Sequence, residues 1–130
     1  MNPAELRYSR MHEWVAVDGP VAVIGLTDVA IKLLEDPVSL SLPQLGQLVS
    51  PGDPIGEIES SKTVNDIYSP LSGQIIEVNS ALPDDLDLLT LSPFDRAWIA
   101  RIRMANPTEA AQLMSHSDYL RFCKQDAPPR

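Results

Sequence analysis

Lys62 is the side chain best placed for chemistry in this chain. It stands in the run Glu59-Ser60-Ser61-Lys62-Thr63-Val64-Asn65-Asp66-Ile67-Tyr68-Ser69-Pro70-Leu71-Ser72-Gly73, a short polar turn between strand-like segments bounded by glycine and proline. An amine presented at such a turn is open to an acylating enzyme, and rigid flanking strands hold it in one place. Acylation would remove its charge and attach an arm. The bland alternative is a solvated surface lysine, the ordinary state of lysines in turns. Only two other lysines exist, Lys32 and Lys124, and neither lies in a turn of this kind. No Ser/His/Asp set and no glycine-rich phosphate loop accompanies Lys62. The single cysteine, Cys123, excludes an intrachain disulfide and a cysteine cluster for zinc.

The elements that must position Lys62 are short and punctuated by proline and glycine. Residues 14–17 and 21–25, joined by Asp18-Gly19-Pro20, predict a hairpin. Thr27 caps a helix starting at Asp28, with Val29, Ala30, Leu33 and Leu34 on its apolar face, and Pro37 limits its length. Residues 38–42 alternate as a half-buried strand. A strand over 55–59 leads into Lys62, and one over 73–78 answers it. Residues 82–91 form a covering loop. In 98–103, Trp98, Ala100 and Ile102 point inward and the arginines outward. Asn106, Pro107 and Glu109 make a capping-box-like helix start with Ala110, Leu113 and Met114 on one face. A second short helix covers 117–122, and 125–130 is a frayed tail. Residues 24–34 and 78–89 echo each other, which suggests two β-halves closing on one core as a flattened barrel or sandwich.

At 130 residues the chain is expected to be a single domain with a core spanning about 8–124. Its net charge of -8 argues against nucleic acid and against an anionic membrane surface. No apolar run approaches the roughly 20 residues of a membrane span. The first residues have no signal-peptide or transit character. A cytoplasmic protein, or a mature form with its targeting segment removed, is expected, and a monomer.

The Lys62 run resembles the lipoyl-attachment segment of the glycine cleavage system H-protein family. The resemblance extends over residues 8–124. It takes in His12-Glu13-Trp14-Val15, Ile24-Gly25-Leu26-Thr27-Asp28, Leu42-Pro43 with Gly46, Ser72-Gly73 with Ile75 and Glu77-Val78-Asn79, Ser92-Pro93-Phe94 before Trp98, and Phe122-Cys123. Ser61-Lys62-Thr63 is unlike the Met-Lys-Met of biotin carriers. The resemblance implies a mainly β barrel-sandwich hybrid, lipoyl-domain-like, with a short helix after the first hairpin and helices at the C-terminus. It implies lipoic acid bound covalently as N6-lipoyllysine at Lys62, on a carrier with no catalytic site of its own. The cargo would be an aminomethyl group passed from glycine decarboxylase to aminomethyltransferase. Dihydrolipoyl dehydrogenase would reoxidise the arm, and a lipoate ligase or octanoyltransferase would install it.

The resemblance also assigns further residues. Glu59, Gly46 and Gly73 would define the surface recognised for lipoylation, although both glycines also suit plain turns. Glu13 and Asp66 would be carboxylates of the cleft that shelters the arm; otherwise Glu13 is a surface acid beside a core tryptophan and Asp66 a turn acceptor. His12 is expected to be structural and Cys123 an inert apolar residue. The acidic run around Asp85 is a solvated loop. The chain departs from the family where Leu33 replaces a histidine, Glu35 a glycine and Ala97 another glycine. These changes bear on how a polar arm fits the cleft. Two rivals follow: a lipoate-binding protein carrying sulfur intermediates to a heterodisulfide-reductase-like complex, and an unmodified scaffold or lipoyl relay.

Overall fold

The computed structural model describes residues 1–125. The nine strands found there form two antiparallel sheets. The larger contains β1 (Arg7–Tyr8), β2 (Glu13–Asp18), β3 (Val21–Leu26), β5 (Leu48–Val49), β8 (Gly73–Val78) and β9 (Trp98–Met104), in the order β1-β2-β3-β9-β8-β5. The smaller contains β4 (Pro37–Ser41), β6 (Pro54–Ser60) and β7 (Val64–Tyr68), in the order β4-β6-β7. The mainly β architecture is as expected, but the sheets stay separate and unequal instead of closing as two similar halves.

Local chemistry explains the first half. The Asp18-Gly19-Pro20 turn places Trp14 opposite Gly25 and Val15 opposite Ile24. Trp14 is fully buried, and its indole N–H donates to the Pro93 carbonyl at 2.8 Å. Thr27 caps α1 (Asp28–Leu34), its hydroxyl oxygen accepting the Ala30 N–H at 3.2 Å. The buried face of α1 is Ala30 and Ile31, whereas Leu33 is 69% exposed. The expected face was therefore displaced: Ile31 turns inward to the core that the two sheets share, and Leu33 is left at the surface.

Five other expectations change. The strand that answers β6 across Lys62 is β7, not residues 73–78, which belong to the other sheet. Val64, Asn65 and Asp66 are all exposed and the last two are polar, so the segment lacks the apolar alternation that signals a strand. In β4 only Leu40 is buried, because a register shift between Pro37 and Ser39 interrupts the alternation and leaves Val38 outside. Residues 82–91 are not a plain loop: a 3-10 turn, Leu82–Asp84, precedes α2 (Leu88–Leu91), and Leu82 and Leu89 are buried. In β9 Ile99 is as buried as Ala100 and Ile102, because this strand is paired on both edges and covered on both faces. Trp98 is half-buried beneath the Arg101 guanidinium at 5.0 Å.

The capping box at the C-terminal side does not form. Asn106 accepts from the Thr108 N–H and hydroxyl, but Glu109 reaches away from α3 (Thr108–Ala111). Its two carboxylate oxygens instead take the Ser72 N–H at 2.8 Å and the Ser72 hydroxyl at 2.9 Å. A charge-assisted pair of bonds to another segment outcompetes the local cap. Next, α4 (His116–Gln125) is longer than expected at both ends. Gln125, the last described residue, is still in this helix, and the remainder of the expected frayed tail, 126–130, lies outside the described residues.

Gly73 opens β8 where two backbones meet. A Cβ there would stand 2.1 Å from the Arg103 carbonyl oxygen. Gly73→Ala should therefore lower stability by at least about 2 kcal/mol through forced separation of β8 and β9. Urea unfolding monitored by Trp fluorescence checks this, and an unchanged midpoint would contradict the packing described.

Candidate functional site

The turn bearing Lys62 is built by Ser60. This residue ends β6 and is buried, so its hydroxyl cannot be solvated freely. Its N–H donates to the Thr63 carbonyl at 2.8 Å. Its Oγ accepts the Thr63 N–H at 3.1 Å and the Lys62 N–H at 3.3 Å, and contacts Thr63 Oγ1 at 3.0 Å. A side chain thus satisfies the donors that an ordinary hairpin turn gives to a carbonyl. Only Ser61 and Lys62 project at the tip. The Ser61 N–H donates to the Asp36 carbonyl at 3.2 Å, fixing the tip to the chain that follows α1. Lys62 is 76% exposed along its side chain, as an attachment lysine must be.

Beside this hairpin lies a cleft of about 360 Å³. Asn65, Asp66, Ile67 and Tyr68 of β7 form one wall, and Ala30, Leu33 and Leu34 of α1 form the other. Arg10, Met11, His12 and Glu13 close one side, and Leu26 and Ile58 lie within. Glu13 and Asp66, far apart in sequence, therefore line the same space. Glu13 is only 2% exposed, so it is not a surface acid. Its Oε1 accepts the Ser9 hydroxyl at 2.6 Å, and its own N–H donates to Ser9 Oγ at 3.1 Å. Burial pushes its carboxyl up to about 7; the Ser9 hydroxyl and the Tyr68 backbone amide pull the other way and are outweighed. Asp66 is exposed and faces Glu57 across the β6–β7 ladder, like charge against like charge. A cation entering here would meet two carboxyl groups, with Arg10 as the cation that lines the same cleft among the described residues.

The closing segment is held by the last helix. His12 has a positive φ of 67° and its Nδ1 lies 2.7 Å from the Tyr119 hydroxyl. The same hydroxyl lies 2.7 Å from Thr27 Oγ1, the cap of α1. Tyr119 of α4 thus ties two borders of the cleft together. His12 is structural in this sense, and Cys123 packs with the same aromatic cluster.

Glu35 caps the C-terminus of α1 with φ 70° and ψ -90°. A non-glycine residue there is strained by about 1–3 kcal/mol. Its Oε2 lies 3.5 Å from Lys62 Nζ.

Glu59 is exposed on β6, in register with Val64 beside the turn. Gly46 and Gly73 lie elsewhere. Gly46 has φ 83°, with its N–H bonded to the Ile75 carbonyl at 2.8 Å, and Gly73 pairs with Val49. Both belong to the β5–β8 edge of the larger sheet, not to the hairpin. Sequence reasoning missed Ser9, Ser60, Tyr119 and the contact made by Glu35. Ser60, three residues before Thr63, and Ser9, four before Glu13, carry at most a weak local turn signal; Tyr119 and Glu35 act across the chain and have none.

Comparison with known proteins follows the same lines. The family model described as "Glycine cleavage H-protein" matches residues 6–126. A glycine cleavage system H protein of Carboxydothermus hydrogenoformans is 38% identical over 124 residues, 95% of each chain. A mitochondrial one from Mesembryanthemum crystallinum is 42% identical over 93% of this chain and 74% of its own. The crystal structure of a glycine cleavage system H protein from Mycobacterium marinum superposes with a TM-score of 0.83 at 33% identity, covering 96% of this chain and 98% of that one.

The raised Glu13 carboxyl has a stability consequence. The folded state holds a proton there that the unfolded chain has released above its ordinary value of 4.5. Its contribution is therefore fully present below that value and is lost as pH rises through about 7, a change of roughly 3 kcal/mol at most. Glu13→Gln should flatten the fall in stability between these pH values. Urea unfolding across pH 4.5–8.5 measures it, and an identical pH slope in both proteins would contradict the assignment.

Proposed function

The chain belongs to the glycine cleavage H-protein family, and from that premise we propose that it is a lipoate carrier, modified on Lys62, that shuttles an aminomethyl group. The observation that carries this is the exposed Lys62 at the tip of a rigid hairpin whose second strand is a wall of a cleft containing Glu13 and Asp66. The residues fit such an arm. The amine stands in solvent, as amide formation requires, and the cleft volume lies in the range of small-molecule sites. When bound, the lipoyl group would supply a dithiolane, whose disulfide is the form able to take up the aminomethyl cargo.

The remaining work belongs to side chains of this chain. Ala30, Leu33, Leu34 and Leu26 supply an apolar surface that excludes water from whatever lies against them. Glu13 and Asp66 hold an ammonium by charge-assisted bonds. Glu13 gives up its proton as that cation arrives, so sequestration strengthens as pH rises through about 7. Glu59, beside the turn, is the acid by which a lipoate ligase or octanoyltransferase recognises the site. Gly46 and Gly73 enter that recognition through the shape of the neighbouring sheet edge.

As a carrier without catalysis of its own, a single domain over 1–130 and a cytoplasmic monomer, it would visit glycine decarboxylase, aminomethyltransferase and dihydrolipoyl dehydrogenase in turn. Among the described residues no helix is long and apolar enough to cross a membrane. The names of its relatives favour this cargo over sulfur intermediates.

The test combines mass with exchange. After incubation with a lipoylating enzyme, the peptide containing Lys62 should gain the lipoyl mass, and Lys62→Arg should not. With glycine decarboxylase and labelled glycine, the lipoylated protein should support exchange of the carboxyl carbon with bicarbonate. Lys62→Arg should abolish that exchange and Asp66→Ala should weaken it. Modification confined to Lys32 or Lys124, or no exchange with a competent decarboxylase, would overturn the proposal.

A further inference from the structure

At one end of the cleft an ion pair links the two walls, beside the β4–β6 pairing that starts at Pro37 and Ser60. The α1 wall ends at Leu34, and Glu35 is the next residue. The β7 wall continues directly from the turn that carries Lys62. The Glu35 carboxylate and the Lys62 ammonium, 3.5 Å apart, therefore connect wall to wall. A backbone bond runs alongside, from the Ser61 N–H to the Asp36 carbonyl at 3.2 Å. Glu35 makes its contact from a positive φ of 70°, a conformation that glycine adopts without strain and glutamate does not. A strained backbone at a functional border motivates a functional hypothesis.

We propose that Glu35 is a specificity-determining residue for modification of Lys62: it fastens the unmodified lysine to the end of α1 and lets go when the amine becomes an amide. The inference rests on Lys62 being the carrier lysine. In the acylation step a C–N bond forms between the incoming carbonyl carbon and Nζ. The bond from that carbonyl to its activating group breaks, and the group leaves with the electron pair. Two of the three ammonium protons pass to water. The amide is neutral, so nothing remains for the Glu35 carboxylate to pair with. Before the step, an acylating enzyme must draw Nζ away from Glu35. After it, the ends of the two walls are still joined by the Ser61–Asp36 backbone bond and by the β4–β6 pairing that starts at Pro37 and Ser60, but no longer by the ion pair. The same event that installs the arm thus frees the side chain at the tip from the end of α1, while the backbone pairing beside it stays in place.

Both side chains are largely exposed, so the pair is weak and sensitive to salt. That sets the size of the effect and supplies its control. The experiment needs no enzyme: the unmodified protein is treated briefly with N-hydroxysuccinimidyl acetate, and acetylation of Lys62 is measured by peptide mass spectrometry relative to Lys124 of α4. At low ionic strength Glu35→Gln should raise the Lys62 to Lys124 ratio by about two- to five-fold. Glu35→Gly, which removes charge and strain together, should do the same. The difference from the wild type should largely vanish at about 0.5 M salt. An unchanged or lowered ratio in both variants at low salt would overturn the role of Glu35. The same proteins are then given a lipoylating enzyme. Failure of Lys62 to be lipoylated in every variant would count against the carrier assignment instead, so the two failures are distinguishable.

Discussion

The hydroxyl of Ser60 is the contact on which the carrier site depends. It is buried at the end of β6 and takes the backbone donors of Lys62 and Thr63. A two-residue tip leaves little room for register slip, and a slip of one residue would turn every side chain of β7 to the other face. Ile67, which is buried, would then face water, and the charged Asp66 would be turned toward the core. The same hydrogen bonds that present Lys62 thus also decide which residues line the space beside it. Presentation of the lysine and construction of the cleft are one event in this hairpin.

The opposite wall is fixed by a different device. Thr27 both caps α1 and meets Tyr119, so the helix start is set by a local bond and by one from the far end of the chain. Through His12, the same tyrosine restrains the segment leading to Glu13. Tyr119 is buried and stacked on Tyr8 with ring centroids 4.6 Å apart. Burial raises the tyrosine hydroxyl far above its ordinary value, which keeps it neutral and able to donate. The C-terminal helix therefore acts on the cleft without lining it.

What the sequence made legible was whatever local chemistry determines. The Asp-Gly hairpin, the Thr27 cap and the strands over 55–59 and 73–78 each follow from neighbours a few residues apart, and each formed. The grouping of Glu13 with Asp66 was legible only by resemblance, because their meeting depends on the packing of β2 and β7 at the cleft. What failed did so where a tertiary partner won. Glu109 left its cap for Ser72, and Leu33 gave up the core to Ile31. Residues 64–68 formed a strand although the first three are exposed, because pairing with β6 supplies what side-chain burial does not. The Glu35–Lys62 contact joins two loops with no pattern between them, and no spacing rule points to it.

The central claim is that the arm on Lys62 folds into the cleft between α1 and β7. Its most direct measurement is a backbone amide chemical-shift map of the protein before and after lipoylation and after loading with cargo. Shifts should reach the cleft on lipoylation or loading, at Glu13, Leu33 and Asp66. Shifts confined to residues 60–63 in every state, with the cleft amides unmoved, would contradict the account.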